Sequence, residues 1–324
     1  MALSVHRLDL GTRAADGSAT DIVSDVSFTV RRGECLGLVG ESGSGKSLTL
    51  RAVLGLLPNG VVATSGRIHV AGDTGTTDAT AQTVRHGRVG MVFQEPMTAL
   101  NPSMRIGTFL EKTIRMHQPL GRSEARRQAE ALLGDLGVPD PKQKLQAWPH
   151  ELSGGLRQRI VIAAALASEP DVLLCDEPTT ALDVTVQDQI LGLLDEIRVE
   201  RDVGMVFVTH DLGVVAQVAQ RVAVMYAGRF METGPIGAVF QRPEHPYTDG
   251  LLGAMPDVAH DVEQLTTIPG SLPPVGSPPP GCRFAPRCRY ADTACEAIDG
   301  ALIDLPGGRA TACIAPERIH EDRH

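Results

Sequence analysis

Apolar and polar positions along this chain follow two periods, and the points where one gives way to the other carry most of the information. Glu34 to Val39 is a short apolar run suited to a buried strand. Gly40 to Gly45 is a loop of glycine and serine, and Lys46 to Leu57 has helical spacing until Pro58-Asn59-Gly60 stops it. A second strand is predicted over Arg88 to Phe93, closed by Gln94-Glu95-Pro96, since the residue before a proline is pushed out of helical backbone. From about Ile106 to Trp148 the chain turns charged and helical, with Arg122 to Leu136 carrying apolar residues at helical spacing. The alternation then resumes with a helix over Gly155 to Ser168, a strand over Val172 to Cys175, a helix over Thr185 to Arg198 and a strand over Met205 to Thr209.

Strands alternating with helices imply an α/β fold with a mostly parallel sheet covered on both faces, in which ligands bind at the carboxyl ends of the strands. The Gly/Ser loop, Gln94, Glu177 and His210 each follow such a strand end, so they are expected to converge. No internal repeat is present, which predicts one copy of this module over residues 1–250, with a helical subdomain at about 95–160. After Arg242 the composition shifts. Pro269, Pro273, Pro274, Pro278, Pro279 and Pro280 mark an extended linker or an ordered Pro-rich arm within an extension over 251–324.

Composition narrows the function classes. At 324 residues and 42% hydrophobic the chain can bury a sizeable core of one or two domains. A net charge of −9 lacks the basic footprint that phosphate-backbone binding needs, so nucleic acid is not expected as a partner. No run of about 18 apolar residues exists, and His6, Arg7 and Asp9 interrupt the N-terminal stretch where a signal peptide would be apolar. The expectation is a cytoplasmic chain whose membrane role, if any, comes through a partner. Cys35 and Cys175 lie in apolar runs and are expected to pack as small hydrophobes.

Gly40-Glu41-Ser42-Gly43-Ser44-Gly45-Lys46-Ser47 fits a phosphate-binding loop, in which backbone N–H groups approach phosphate oxygens at a helix N-terminus. Lys46 would neutralise the β- and γ-phosphates, Ser47 would ligate Mg²⁺, and Leu48 continues the segment into the helix. The strand ending in Asp176-Glu177 places one carboxylate to hold Mg²⁺ through water and a second to orient or deprotonate the attacking water. His210 follows a strand end and suits contact with the γ-phosphate.

With Leu152-Ser153-Gly154-Gly155 lying between these two elements, the chain resembles the ATP-binding subunit of an ABC transporter over about residues 1–250. The signature loop of that family matches Ser153, Gly154 and Gly155, followed by Leu156 where glutamine is commoner. The glutamine loop matches Gln94, a further Mg²⁺ contact, the D-loop matches Ala181-Leu182-Asp183, and the switch histidine matches His210. Phe93 to Pro102, Asp176 to Thr185 and His245-Pro246-Tyr247-Thr248 resemble the branch that includes dipeptide and oligopeptide permeases. The resemblance implies a P-loop NTPase fold, ATP and Mg²⁺ as cofactors, and head-to-tail pairing with a second ATPase chain, usually a different one. It also implies two transmembrane permeases contacted by Glu95 to about Trp148, an extracytoplasmic solute-binding protein, and a peripheral location on the cytoplasmic face of the membrane. Import of nickel or another small solute, or a soluble role in DNA repair or translation, are the alternatives. A non-catalytic regulatory subunit is disfavoured by the presence of both Glu177 and His210.

Two features stand apart. Residues Leu8 to Ser24 contain no aromatic side chain, and Leu10 sits where relatives often stack adenine on one, which predicts weaker base binding. Cys282, Cys288, Cys295 and Cys313 lack the paired C-x2-C knuckles of common zinc sites, yet four thiolates could hold zinc or an iron–sulfur cluster, or remain free thiols. The family resemblance implies a [4Fe–4S] cluster there.

Overall fold

The computed structural model describes residues 1–13, 19–71, 77–78, 87–180, 182–255 and 267–321. In chain order the strands are β1 Leu3–Arg13, β2 Ala19–Val30, β3 Cys35–Val39, β4 Val61–Val70, β5 Thr77–Asp78, β6 Val89–Val92, β7 Val172–Asp176, β8 Gly204–Thr209, β9 Arg221–Tyr226, β10 Arg229–Pro235, β11 Ile303–Leu305 and β12 Arg309–Thr311. The helices are α1 Lys46–Leu54, α2 Pro96–Ala99, α3 Ile106–His117, α4 Arg122–Asp135, α5 Pro141–Lys144, α6 Gly154–Leu166, α7 Val184–Glu200, α8 Leu212–Val218, α9 Ile236–Gln241, α10 Pro246–Gly253, α11 Ala294–Ala297 and α12 Glu317–Glu321.

A larger sheet runs β11-β12-β10-β9-β3-β8-β7-β6, and within it β9, β3, β8, β7 and β6 pair in parallel. A smaller antiparallel sheet, β2-β1-β4-β5, packs on its other face. The central strands are buried on both sides, and their period of two sorts the side chains. Leu173, Cys175, Met205 and Phe207 enter the cluster with α6, α7 and α8, while Val172, Leu174, Val206 and Val208 enter the cluster with α1 and the smaller sheet. Cys35 and Cys175 are fully buried, as expected, and burial pushes the Cys35 thiol up to about 12 and raises Cys175 as well.

The predicted α/β alternation is present, with boundaries that differ for local reasons. The helix predicted to Leu57 ends at Leu54, where Gly55 adopts the left-handed backbone and its N–H caps the last carbonyls. The antiparallel strands β1, β2 and β4 lay outside the sequence reading. Register shifts in β1 between Val5 and Leu8 and again before Leu10 and Gly11 break the simple alternation that would have revealed it.

The charged stretch forms α3, α4 and α5, and the fully packed α3/α4 contact carries one buried carboxylate, Glu111, held by Arg126 at 2.6 Å and Arg122 at 3.2 Å. The C-terminal extension is stitched into the larger sheet: β12 pairs with β10 and β11 with β12. The fully buried Glu232 on β10 accepts from Arg309 Nη2 at 3.1 Å and from the backbone N–H groups of Glu244 and His245.

Candidate nucleotide site

Because β3, β6, β7 and β8 are parallel neighbours, their carboxyl ends deliver four loops to one edge of the sheet. A cavity of about 770 Å³ opens there, lined by Gly40, Glu41, Ser42, Gly43, Gly45, Lys46, Ser47 and Leu48 on one side and Gln94, Glu177, Thr180 and His210 on the other. Ser44 faces inward instead; it is buried, and its carbonyl accepts from Gly228 N–H at 2.8 Å.

Lys46 opens α1 and curls back over the loop, its Nζ donating to the carbonyls of Gly40 at 2.7 Å and Glu41 at 2.9 Å. Burial lowers its pKa, opposed by the carboxylates of Glu177, Asp176 and Glu41. Ser47 Oγ donates to Asp176 Oδ1 at 2.8 Å, which brings a hydroxyl and a carboxylate together as hard oxygen ligands for one divalent cation. Burial raises the Asp176 pKa, and the Ser47 hydrogen bond works against that rise.

Glu177 is held from three directions. Gln94 Nε2 donates to Oε2 at 3.1 Å, Thr180 Oγ1 donates to Oε2 at 3.0 Å, and His210 Nδ1 meets Oε1 at 3.1 Å. Its backbone lies at φ 46°, a left-handed conformation that costs a non-glycine residue on the order of 1 kcal/mol, and its N–H is pinned to the Val208 carbonyl at 2.9 Å. The carboxylate is therefore aimed by the backbone as well as by its three neighbours.

The predicted residues do not all meet. Ser153, Gly154, Gly155 and Asp183 line no part of this cavity. Ser153 caps α6 by accepting from Leu156 N–H at 3.4 Å, and Asp183 caps α7 by accepting from Val186 N–H at 2.9 Å. These two helix starts adjoin each other, with Ser153 and Gly154 exposed. Ala181 of the expected D-loop lies outside the described residues.

Several site residues were missed from sequence. Tyr247 Oη accepts from the Glu41 backbone N–H at 2.9 Å, and Arg287 Nη1 donates to both Glu41 oxygens at 2.9 and 3.0 Å. Both come from the C-terminal part of the chain; Tyr247 lies within the His245 to Thr248 segment that carried the family match, but nothing local links it or Arg287 to Glu41 more than 200 positions away. Thr180 had one: it lies within the Asp176 to Thr185 segment that carried the family match. Leu10, expected at the base position, is fully buried in the core, and Ile22 lines the cavity instead.

The four C-terminal cysteines come together around one cavity that also includes His245 and Phe284. It holds about 20 Å³, room for roughly one water. Among the described residues, no three His, Cys, Asp or Glu side chains are placed to hold a metal ion. Burial raises the pKa of Cys282 and Cys288 and pushes Cys313 up to about 12. The four thiols are donors of the right kind for the expected [4Fe–4S] cluster or zinc, but among the described residues they are not set as a metal-holding group.

A family model described as "ABC transporter" matches residues 23–180, and one described as "Oligopeptide/dipeptide transporter, C-terminal region" matches residues 231–295. The dipeptide transport ATP-binding protein DppD of Bacillus subtilis (strain 168) is 46% identical over 91% of this chain and 89% of its own length. The chain belongs to the ABC transporter family. A protein of Brucella melitensis biotype 1, whose name assigns it provisionally to peptide import as an ATP-binding protein, is 46% identical over 98% of this chain and 95% of its own. Among solved structures, cbiO1 of Clostridium perfringens, part of the transporter complex cbiONQ, aligns with a TM-score of 0.61 at 28% identity, covering 74% of this chain and 90% of its own. The bacterial ABC transporter cassette MJ0796, solved as a dimer bound to ADP and Pi, aligns at 0.60 and 25% identity, covering 72% and 98%. This ABC ATPase therefore hydrolyses ATP with Mg²⁺ in service of transport.

Proposed function

We propose that this chain is the energy-coupling ATPase subunit of an importer for dipeptides or oligopeptides, bound peripherally on the cytoplasmic face of the membrane. The observation that carries the hydrolytic part is Glu177, fixed by Gln94, Thr180 and His210 beside the Lys46–Ser47–Asp176 cluster. In this reading Lys46 and the loop N–H groups of Gly40 to Ser47 bind the β- and γ-phosphates. Ser47, Asp176 and Gln94 face the Mg²⁺, Glu177 orients and deprotonates water, and His210 steadies the γ-phosphate. Bound Mg²⁺ supplies charge neutralisation at the phosphates.

The peptide part is supported by the names of its relatives and by the oligopeptide-type C-terminal match. The head-to-tail arrangement is supported by the exposed Ser153 and Gly154, which do not line their own chain's cavity and so stand open to a second ATPase chain. Contact with two transmembrane permeases is supported by an apolar groove of about 420 Å³ where the helical insert meets the sheet, lined by Leu56, Met91, Phe93 and Phe109. An extracytoplasmic solute-binding protein would reach this chain only through those permeases. No helix among the described residues is long and apolar enough to cross a membrane.

A [4Fe–4S] cluster in the cysteine cavity is a separate part of the proposal and rests on the donor set alone. Loading would have to remove thiol protons and spread the four side chains. Iron and sulfide measured on the natively purified chain, at about four of each per chain, would establish it. Four thiols titratable in the native protein would dismiss it.

The hydrolytic assignment is tested by Glu177→Gln. Phosphate release should fall by a factor on the order of 10² or more while ATP binding persists. Unchanged hydrolysis would remove Glu177 from its role.

A further inference from the structure

A triphosphate seated on Lys46 and Ser47 with its terminal phosphate beside Glu177 leaves one direction for the rest of the nucleotide. Gln94, Glu177 and His210 line the cavity with polar groups around the terminal phosphate, and its lining also includes Ile22, Ser42 and Gly43. Ile22, Ser42 and Gly43 also line a second cavity of about 240 Å³, so the two cavities adjoin at these residues. Its far wall is the Pro-rich arm, contributing Leu272, Pro273, Pro274, Val275 and Gly276. Among the described residues, no aromatic side chain lines it.

The arm is fixed in that position, although it has no regular helix or strand. Gly276 lies at φ 81°, and a Cβ there would land on Thr20 Cγ2, so the arm touches β2 where only glycine fits. The buried Arg283 ties the segment after the arm to β2 and to the β9–β10 turn, through Ser24 Oγ at 2.8 Å and the Ala227 carbonyl. Arg287 ties the segment before it to the phosphate loop, donating to the Pro269 carbonyl at 2.7 Å and to Glu41. Meanwhile Val275 leaves 66% of its surface exposed, an apolar face with no cover among the described residues.

We propose that this arm is the nucleobase wall of the ATP site: the base rests between Ile22 and the Leu272–Gly276 segment, with the ribose over Ser42 and Gly43. The proposal rests on the ATPase reading of the phosphate loop and adds the residues that bind the base. A purine presents two apolar faces, and aliphatic and proline side chains held rigidly on one side cover a face at little ordering cost. The C-terminal extension thereby belongs to the nucleotide site, and the absence of an aromatic residue between Leu8 and Ser24 is compensated from a segment some 250 residues downstream.

The test separates the base from the phosphates. Equilibrium binding of Mg-ATP and of Mg-tripolyphosphate is measured on the full chain with Leu272→Ala and with Val275→Ser, the second at an exposed position where folding is not at stake. ATP affinity should fall about tenfold for Leu272→Ala, ~1.4 kcal/mol, and about threefold for Val275→Ser, with tripolyphosphate unchanged for both. Equal losses for both ligands, or unchanged ATP affinity, would overturn the assignment. Photolabelling of the unmodified chain with 8-azido-ATP gives an independent reading: the label should fall on the peptide containing residues 272–276 or on Ile22, and a label confined elsewhere would overturn it.

Discussion

Asp176 shows how the site sets function against stability at the level of one side chain. Burial raises its pKa above the ordinary carboxylate value, so the folded, Mg-free protein binds this proton more tightly than the unfolded chain does. Its charge therefore costs stability at neutral pH, and that cost disappears as the pH falls below the raised value. Asp176→Asn should raise the thermal midpoint of the Mg-free protein by a few degrees. The same substitution should abolish Mg-dependent hydrolysis, and a lowered midpoint would show that the carboxylate is already compensated. His245 works in the opposite direction. It is fully buried, accepts from Tyr247 N–H at 3.1 Å, and burial lowers its pKa to about 3. A depressed histidine contributes stability above its unfolded value of about 6.5 and loses it as the pH falls toward 3, which amounts to about 2 kcal/mol at pH 5. Denaturant melts at pH 7 and pH 5 should show that difference in the parent and lose most of it in His245→Gln. An equal acid loss in both would place the sensitivity elsewhere.

Between elements, α6 stands against α7 at a distance that a glycine sets. A Cβ on Gly155 would lie 2.7 Å from Val186 Cγ1, so the glycine sets how near the two helix starts stand. Gly155→Val should cost roughly 1–3 kcal/mol by overpacking and displace Ser153 from Asp183, and a denaturant melt measures it. An unchanged midpoint would mean that α6 can shift at no cost. The sequence announced these elements unevenly. The phosphate loop, β7 with its two carboxylates, and β8 with His210 are local patterns, in which strand, turn and helix each carry their own signal, so Lys46, Ser47, Asp176, Glu177, Gln94 and His210 could be named in advance. The smaller sheet could not, because β1 is interrupted by bulges and pairs with strands that its own pattern does not specify. Strands β11 and β12 are three residues each, too short to show a period. The contacts of Arg287 and Tyr247 with Glu41 exist only once β9, β10 and α10 have folded the C-terminal part back over the loop.

Taken whole, two sets of family residues do not meet among the described residues: the phosphate loop with Glu177 lines the nucleotide cavity, and the exposed pair of helix starts at Ser153 and Asp183 lies outside it. A chain built this way completes its chemistry in an assembly, and the apolar groove beside Phe93 suits a protein partner. The C-terminal extension is part of the same body, paired into the main sheet through β12 and bonded to the phosphate loop through Arg287. The central claim joins hydrolysis at Glu177 to peptide import, and uptake of a radiolabelled dipeptide tests both at once. Cells whose only copy of the chain carries Glu177→Gln should lose ATP-dependent uptake while the complex still assembles with its permeases. Uptake equal to that of cells with the unmodified chain would contradict the account.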